Sequence, residues 1–189
     1  MIISHAPDEE VLAATRRWLE RAVIGLNLCP FAKAVTVKNQ IRWVVSSAEN
    51  DDELLAELVE ELHHLAAADP RQTDTTLLIH PRVLGDFHDY NDFLGMAEDA
   101  VETLDLEGVL QVASFHPQYQ FAGSAPEDIE NYTNRSPWPM LHILREDSVA
   151  RAVAAFPDAG RIYETNMQTL RRLGHAGWQR LWTEGETDD

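Results

Sequence analysis

Residues 75–117, TTLLIHPRVLGDFHDYNDFLGMAEDAVETLDLEGVLQVASFHP, decide the fold of this chain. They open with a short apolar run, residues 75–79, stopped by His80 and Pro81, which has the length and composition of a buried strand. From Asp86 the spacing changes. Phe87, Tyr90, Phe93, Leu94, Ala97, Val101 and Leu104 fall on one helical face, predicting an amphipathic helix over 86–104. Residues 109–115, VLQVASF, return to a strand pattern and end at a second His-Pro pair, His116-Pro117. Strand, helix and strand form a β-α-β unit, in which a right-handed crossover makes the strands parallel.

The same alternation continues toward the N-terminus. Residues 41–46, IRWVVS, are β-branched and aromatic and read as a strand. Residues 51–67 read as a helix on Leu54, Leu55, Leu58, Val59, Leu62 and Leu65, with Asn50 as N-cap and Glu53 completing a capping-box pair. Residues 8–26 form a first helical pattern on Val11, Leu12, Thr15, Trp18, Leu19, Ala22, Val23 and Leu26, limited by Pro30.

Beyond residue 117, residues 139–145, PMLHILR, read as a fourth strand. No helix separates it from the third, so it should run antiparallel to it. Residues 147–155 and 160–174 read as closing helices, with Gly174 and Gly177 as breakers, and 184–189 as a frayed tail. The expectation is one α/β domain over residues 1–183: a helix, then β-α-β-α-β-β with a mixed, mostly parallel four-stranded sheet, then C-terminal helices. No repeat, low-complexity segment or linker interrupts it.

Composition narrows the class. The 189 residues are 44% hydrophobic and 25% charged, ordinary for a globular chain. Fifteen basic against 32 acidic residues give a formal charge of −17, which repels nucleic acid and anionic membranes. Neither is expected as a partner. Cys29 is the single cysteine, so no internal disulfide forms and a reducing compartment is expected. With no signal-peptide pattern in MIISHAPDEE and no run near the length of a membrane span, the expected location is the cytoplasm.

Ligands of open α/β sheets bind outside the carboxyl ends of the strands. Both His-Pro pairs stand there, and a loop from Ser114 to Pro139, SFHPQYQFAGSAPEDIENYTNRSPWP, leaves from the same edge. Its length and its aromatic content mark an ordered, site-building loop.

Within it, His116 has the type and position of a general acid–base residue, against the alternative of a histidine that caps strand carbonyls. His80 shares that placement. His142 lies inside the fourth strand and reads as a half-buried histidine, and no local spacing makes His80, His116 and His142 a metal site. Arg135, between Asn134 and Ser136, suits an anion clamp, against the alternative of pairing Glu127, Asp128 or Glu130.

Tyr119, Phe121, Tyr132 and Trp138 either wall a pocket or pin the loop. A second cluster, GLNLCPFAK at 25–33, holds Asn27, Cys29 and Lys33. Cys29 is there either a nucleophile activated by a nearby cation or a buried, inert thiol. The remaining histidines, His63, His64, His88 and His175, read as surface residues. GxGxxG, GxxxxGK[ST], GxSxG and HExxH are absent, so no cofactor is assigned.

The motifs GLNLCPFAK at 25–33, SFHPQYQFAG at 114–123 and NYTNRSPWPMLHILRE at 131–146 resemble the bacterial domain-of-unknown-function family fourteen-fifteen over nearly the whole chain. The resemblance implies a small cytoplasmic bacterial domain and carries no reaction with it.

The leading expectation is an enzyme acting on a small anionic metabolite. Arg135, Lys33, Asn134, Asn27 and His80 would bind the substrate, while His116, Tyr119 and Cys29 would act on it. The competing expectation is a non-catalytic module that binds a metabolite or protein through the 116–138 loop.

Overall fold

The structure, a computed structural model, describes residues 6–155 and 159–183. The expected tail, 184–189, lies outside the described residues. Among the described residues, six α-helices surround a four-stranded mixed sheet: α1 (Asp8–Trp18), α2 (Ala32–Val37), β1 (Ile41–Val45), α3 (Asp51–Ala67), β2 (Thr75–Ile79), α4 (Phe87–Thr103), β3 (Leu110–Phe115), β4 (Met140–Arg145), α5 (Glu146–Ala155) and α6 (Ile162–Thr183). The sheet order is β1-β2-β4-β3. β1 and β2 pair in parallel, and β4 pairs antiparallel with both β2 and β3. Three strands therefore point the same way, as the β-α-β reading requires. β4 returns between β2 and β3, so the single parallel ladder is β1–β2.

Side-chain alternation sorts the core onto the two faces of the sheet. Leu78, Leu141 and Ile143 face α3 and α4, packing with Leu54, Leu58, Leu62, Phe93 and Ala97. Leu77, Ile79 and Met140 face the other way, toward Val11 and Trp18 of α1, Leu19 just after it, and Leu170 and Trp178 of α6. Every residue of β2 is buried, the signature of a strand covered on both sides. Truncating a fully buried leucine such as Leu58 should cost about 2–5 kcal/mol.

Local signals explain the helix ends. Asn50 caps α3 by accepting from the Glu53 backbone N–H at 3.0 Å. The Glu53 carboxylate reaches the N–H of Glu49 rather than Asn50, so the capping box is displaced by one residue. Asp86 caps α4, accepting from the N–H groups of His88 and Asp89.

The first helix differs in kind from the expected one. After Trp18 it widens into a π-helical run, Leu19–Ile24, with the Gly25 N–H bonded to the Glu20 carbonyl. A β-carbon at Gly25 would lie 2.3 Å from the Arg21 carbonyl oxygen, so this turn requires glycine. Of the two expected breakers, only Gly174 (φ 63°, ψ 174°) interrupts α6, and the helix runs on through Gly177 to Thr183. Of this pair, only Gly174 takes a left-handed φ, which glycine tolerates without a steric penalty.

Candidate functional site

The two His-Pro pairs do meet at one sheet edge, through Tyr90. Its hydroxyl donates to the Met140 carbonyl at 2.8 Å and accepts the Phe115 N–H at 3.0 Å, clamping the point where β3 leaves and β4 enters. Its ring lies 5.8 Å from His80 and 5.0 Å from His116. Burial pushes the Tyr90 hydroxyl far above its ordinary pKa, so it stays a neutral donor.

His116 is fully buried and both ring nitrogens are engaged. Nδ1 accepts the Gln118 N–H at 3.0 Å, which leaves the proton on Nε2 to donate to the Leu84 carbonyl at 3.1 Å. Burial holds its pKa below the ordinary value, opposed in part by that carbonyl and by Asp86. The histidine so placed staples the start of the loop to the segment before α4.

His80 is likewise fully buried. Its Nδ1 donates to the Val83 carbonyl at 3.1 Å, and Nε2 has no partner. Burial pushes its pKa down to about 4. The His142 Nε2 lies 2.7 Å from the Thr75 hydroxyl, which itself donates to the Ile143 carbonyl, so the ring supplies the proton between them. Among the described residues, no group of three or more His, Cys, Asp or Glu side chains is placed to hold a metal ion.

The loop is ordered by its own polar residues. Buried Asn131 accepts from Phe121 N–H and donates to the Ala125 carbonyl. Asn134 closes the loop base: its side-chain amide donates to Ser114 at 2.9 Å and its carbonyl accepts the His116 N–H. Tyr119 packs between Phe87 and Phe121, 5.2 and 5.1 Å away, and Phe121 also meets Tyr163. These aromatics pin the loop to α4 and α6.

Arg135 is held differently. Its Nε and Nη2 donate to the carbonyls of Tyr119 (3.1 Å) and Pro126 (2.5 Å), and its guanidinium lies 4.5 Å over the Tyr132 ring. The acids that might have paired with it are elsewhere. Glu130 binds Arg171, which holds its carboxyl below the usual range. Asp128 accepts the Ala125 N–H. Among the described residues, no carboxylate forms an ion pair with Arg135.

Two clefts share Arg135 and Pro117 as their partition. The smaller, about 290 Å³, is lined by Asp86, Phe87, His88, Gln118, Gln120 and Pro126 as well. The larger, about 400 Å³, adds Arg17 and Trp18 of α1, Tyr132 of the loop, and Trp178 and Trp182 of α6.

Of the residues singled out from sequence, Arg135 alone among His116, Cys29, Tyr119, Arg135, Asn134, Lys33, Asn27 and His80 lines a cleft. Lys33 and Asn27 are exposed, and Asn27 takes a left-handed turn conformation (φ 53°). Half-buried Cys29 packs against the α1–α6 core. Among the described residues, no hydrogen bond or ion pair links Cys29 or Lys33 to the loop.

Sequence reasoning missed Arg17, Trp178, Trp182 and His88. The positions of Ala14, Arg17 and Trp18, three and four apart on α1, were the available signal for one helix face. Nothing in the sequence brought α6 to them.

Fold and cleft together define a small mixed α/β protein with a cationic, aromatic-walled opening at the strand ends. Residues 10–180 match the family described as Protein of unknown function (DUF1415), and the chain belongs to it. No curated protein and no solved structure matches the chain. Among the described residues, no helix is long and apolar enough to cross a membrane.

Proposed function

We propose that this protein binds a small organic anion, a carboxylate or phosphate, at Arg135. One observation carries the reading: a guanidinium fixed in place without an acid. Two of its five N–H donors go to the Tyr119 and Pro126 carbonyls, leaving three beside the clefts. The planar fork and the stacking on Tyr132 pre-organise it, so little side-chain freedom is lost when an anion docks.

Binding, rather than turnover, is the reading the geometry supports. His116 has neither a free ring nitrogen nor exposure, and Cys29 and Lys33 do not line the opening. Any proton transfer at this cleft would draw on Asp86 and His88, which line it beside Arg135. The cytoplasm remains the proposed location, on the strength of the single cysteine.

The test is titration calorimetry with inorganic phosphate and simple mono- and dicarboxylates. Wild type should bind at least one of them saturably, and Arg135→Gln about tenfold or more weakly with unchanged circular dichroism. If Arg135→Gln does not fold, Arg135→Lys, which keeps the charge without the fork, should fold and bind more weakly than wild type. Equal affinity in a folded Arg135 variant, or no binding by wild type, overturns the proposal.

A further inference from the structure

We infer that the larger cleft takes a planar aromatic anion, its ring against the tryptophan wall and its carboxylate or phosphate on Arg135; this rests on the anion reading above. Three observations on that cleft point there. The first is size. A cavity of about 400 Å³ is in the range of small-molecule sites and is far larger than a bare phosphate or carboxylate requires. The body of the ligand must fill the remainder.

The second is the wall. Trp178 stands edge-on between Tyr132, 4.9 Å away at 74°, and Trp182, 5.5 Å away at 71°. Trp18 of α1 lines the cleft too, held by its bond to the Arg135 carbonyl. Offset or edge-to-face packing on such rings favours a flat partner over a puckered one. Arg135 already covers one face of Tyr132, so the ligand ring is left the indoles and the anion is left the guanidinium.

The third is charge. Arg17 and Arg135 both line the cleft and no acid does, in a chain whose formal charge is −17. Arg17 precedes Trp18 on α1, so α1 and the loop each contribute one cation to the cleft lining. Among the described residues, Arg17 forms no ion pair. Two guanidinium groups around an aromatic slot select an anion attached to a ring over a neutral ring of the same shape.

The experiment titrates the full chain with matched probes: phenyl phosphate against inorganic phosphate and phenol, and benzoate against cyclohexanecarboxylate and acetate. Phenyl phosphate or benzoate should bind at least about tenfold more tightly than its ring-free and uncharged counterparts, and benzoate more tightly than cyclohexanecarboxylate. Trp182→Ala, at a half-buried position near the end of α6, should erase the ring preference. Arg17→Ala should weaken every anion.

Inorganic phosphate and acetate binding as tightly as the aryl probes would overturn this inference and leave the anion reading of Arg135 standing. Phenol binding as tightly as phenyl phosphate would overturn both, as would no binding at all. Cyclohexanecarboxylate matching benzoate would overturn the claim of planarity. The tighter of phenyl phosphate and benzoate identifies the charged group.

Discussion

The indole Nε1–H of Trp18 donates to the backbone carbonyl of Arg135 at 2.9 Å, joining α1 to the long loop across 117 positions of sequence. The same bond sets the cation of the loop beside the first indole of the cleft wall. The cleft therefore depends on tertiary contacts among α1, the loop and α6, and the sheet supplies only the edge from which the loop departs.

Trp18→Phe keeps a large ring in the core and removes that single donor. The Arg135 carbonyl is partly buried, so its lost partner should cost about 1–2 kcal/mol of stability by urea denaturation. Anion affinity should fall with it, because the loop segment carrying Arg135 is no longer fixed. Unchanged stability would mean that water replaces the bond without cost.

His116→Ala should act on the fold before it acts on any ligand. It removes the bond to Leu84, the acceptor for Gln118 N–H, and ring packing against Phe87 and Tyr90. We expect a loss of about 2–4 kcal/mol and a lowered melting temperature. A variant as stable as wild type that no longer bound anions would contradict the stapling role.

These two residues mark what was legible in the sequence. Strand ends are punctuated by His-Pro, so the sheet edge, the departing loop and Arg135 within it followed from local patterns. The role of His116 did not. Whether a strand-end histidine is free or occupied depends on the Leu84 carbonyl, 32 positions away, and no sequence spacing encodes that contact. Trp178 and Trp182 were hidden for the same reason. Their helix reaches the loop because Gly174 redirects it and because Asn166 of α6 donates to the Leu28 carbonyl, in the turn that also holds Cys29. The GLNLCPFAK cluster is thus explained in part as the seat of α6.

Gly174→Ala tests that redirection. At φ 63° and ψ 174° a β-carbon is strained whatever space surrounds it, and the strain should cost about 1–3 kcal/mol. Because Trp178 and Trp182 lie just beyond it, near-ultraviolet circular dichroism should change while far-ultraviolet signal holds. A variant with wild-type stability and an unchanged tryptophan spectrum would show that the bend is not set by this residue.

Acid should weaken the protein through His80. In the fold its ring is buried, with Nδ1–H on the Val83 carbonyl and no acceptor at Nε2, so its pKa falls from 6.5 to about 4. In the unfolded chain the imidazole takes a proton below 6.5, while the folded one does not. The stabilisation is therefore complete above that value and is lost as pH falls through about 4, at roughly 1.4 kcal/mol per pH unit within the window. His116 is shifted in the same direction and adds to the loss. Asp86 and Glu130, held below their ordinary values by the His88 and Asp89 N–H groups and by Arg171, contribute only at lower pH. Relief of repulsion in a chain of charge −17 opposes the trend, and high salt screens that repulsion. Urea midpoints at high salt should fall between about pH 7 and about pH 5, with a shallower slope in His80→Gln. An equal slope in the variant would place the acid sensitivity outside His80.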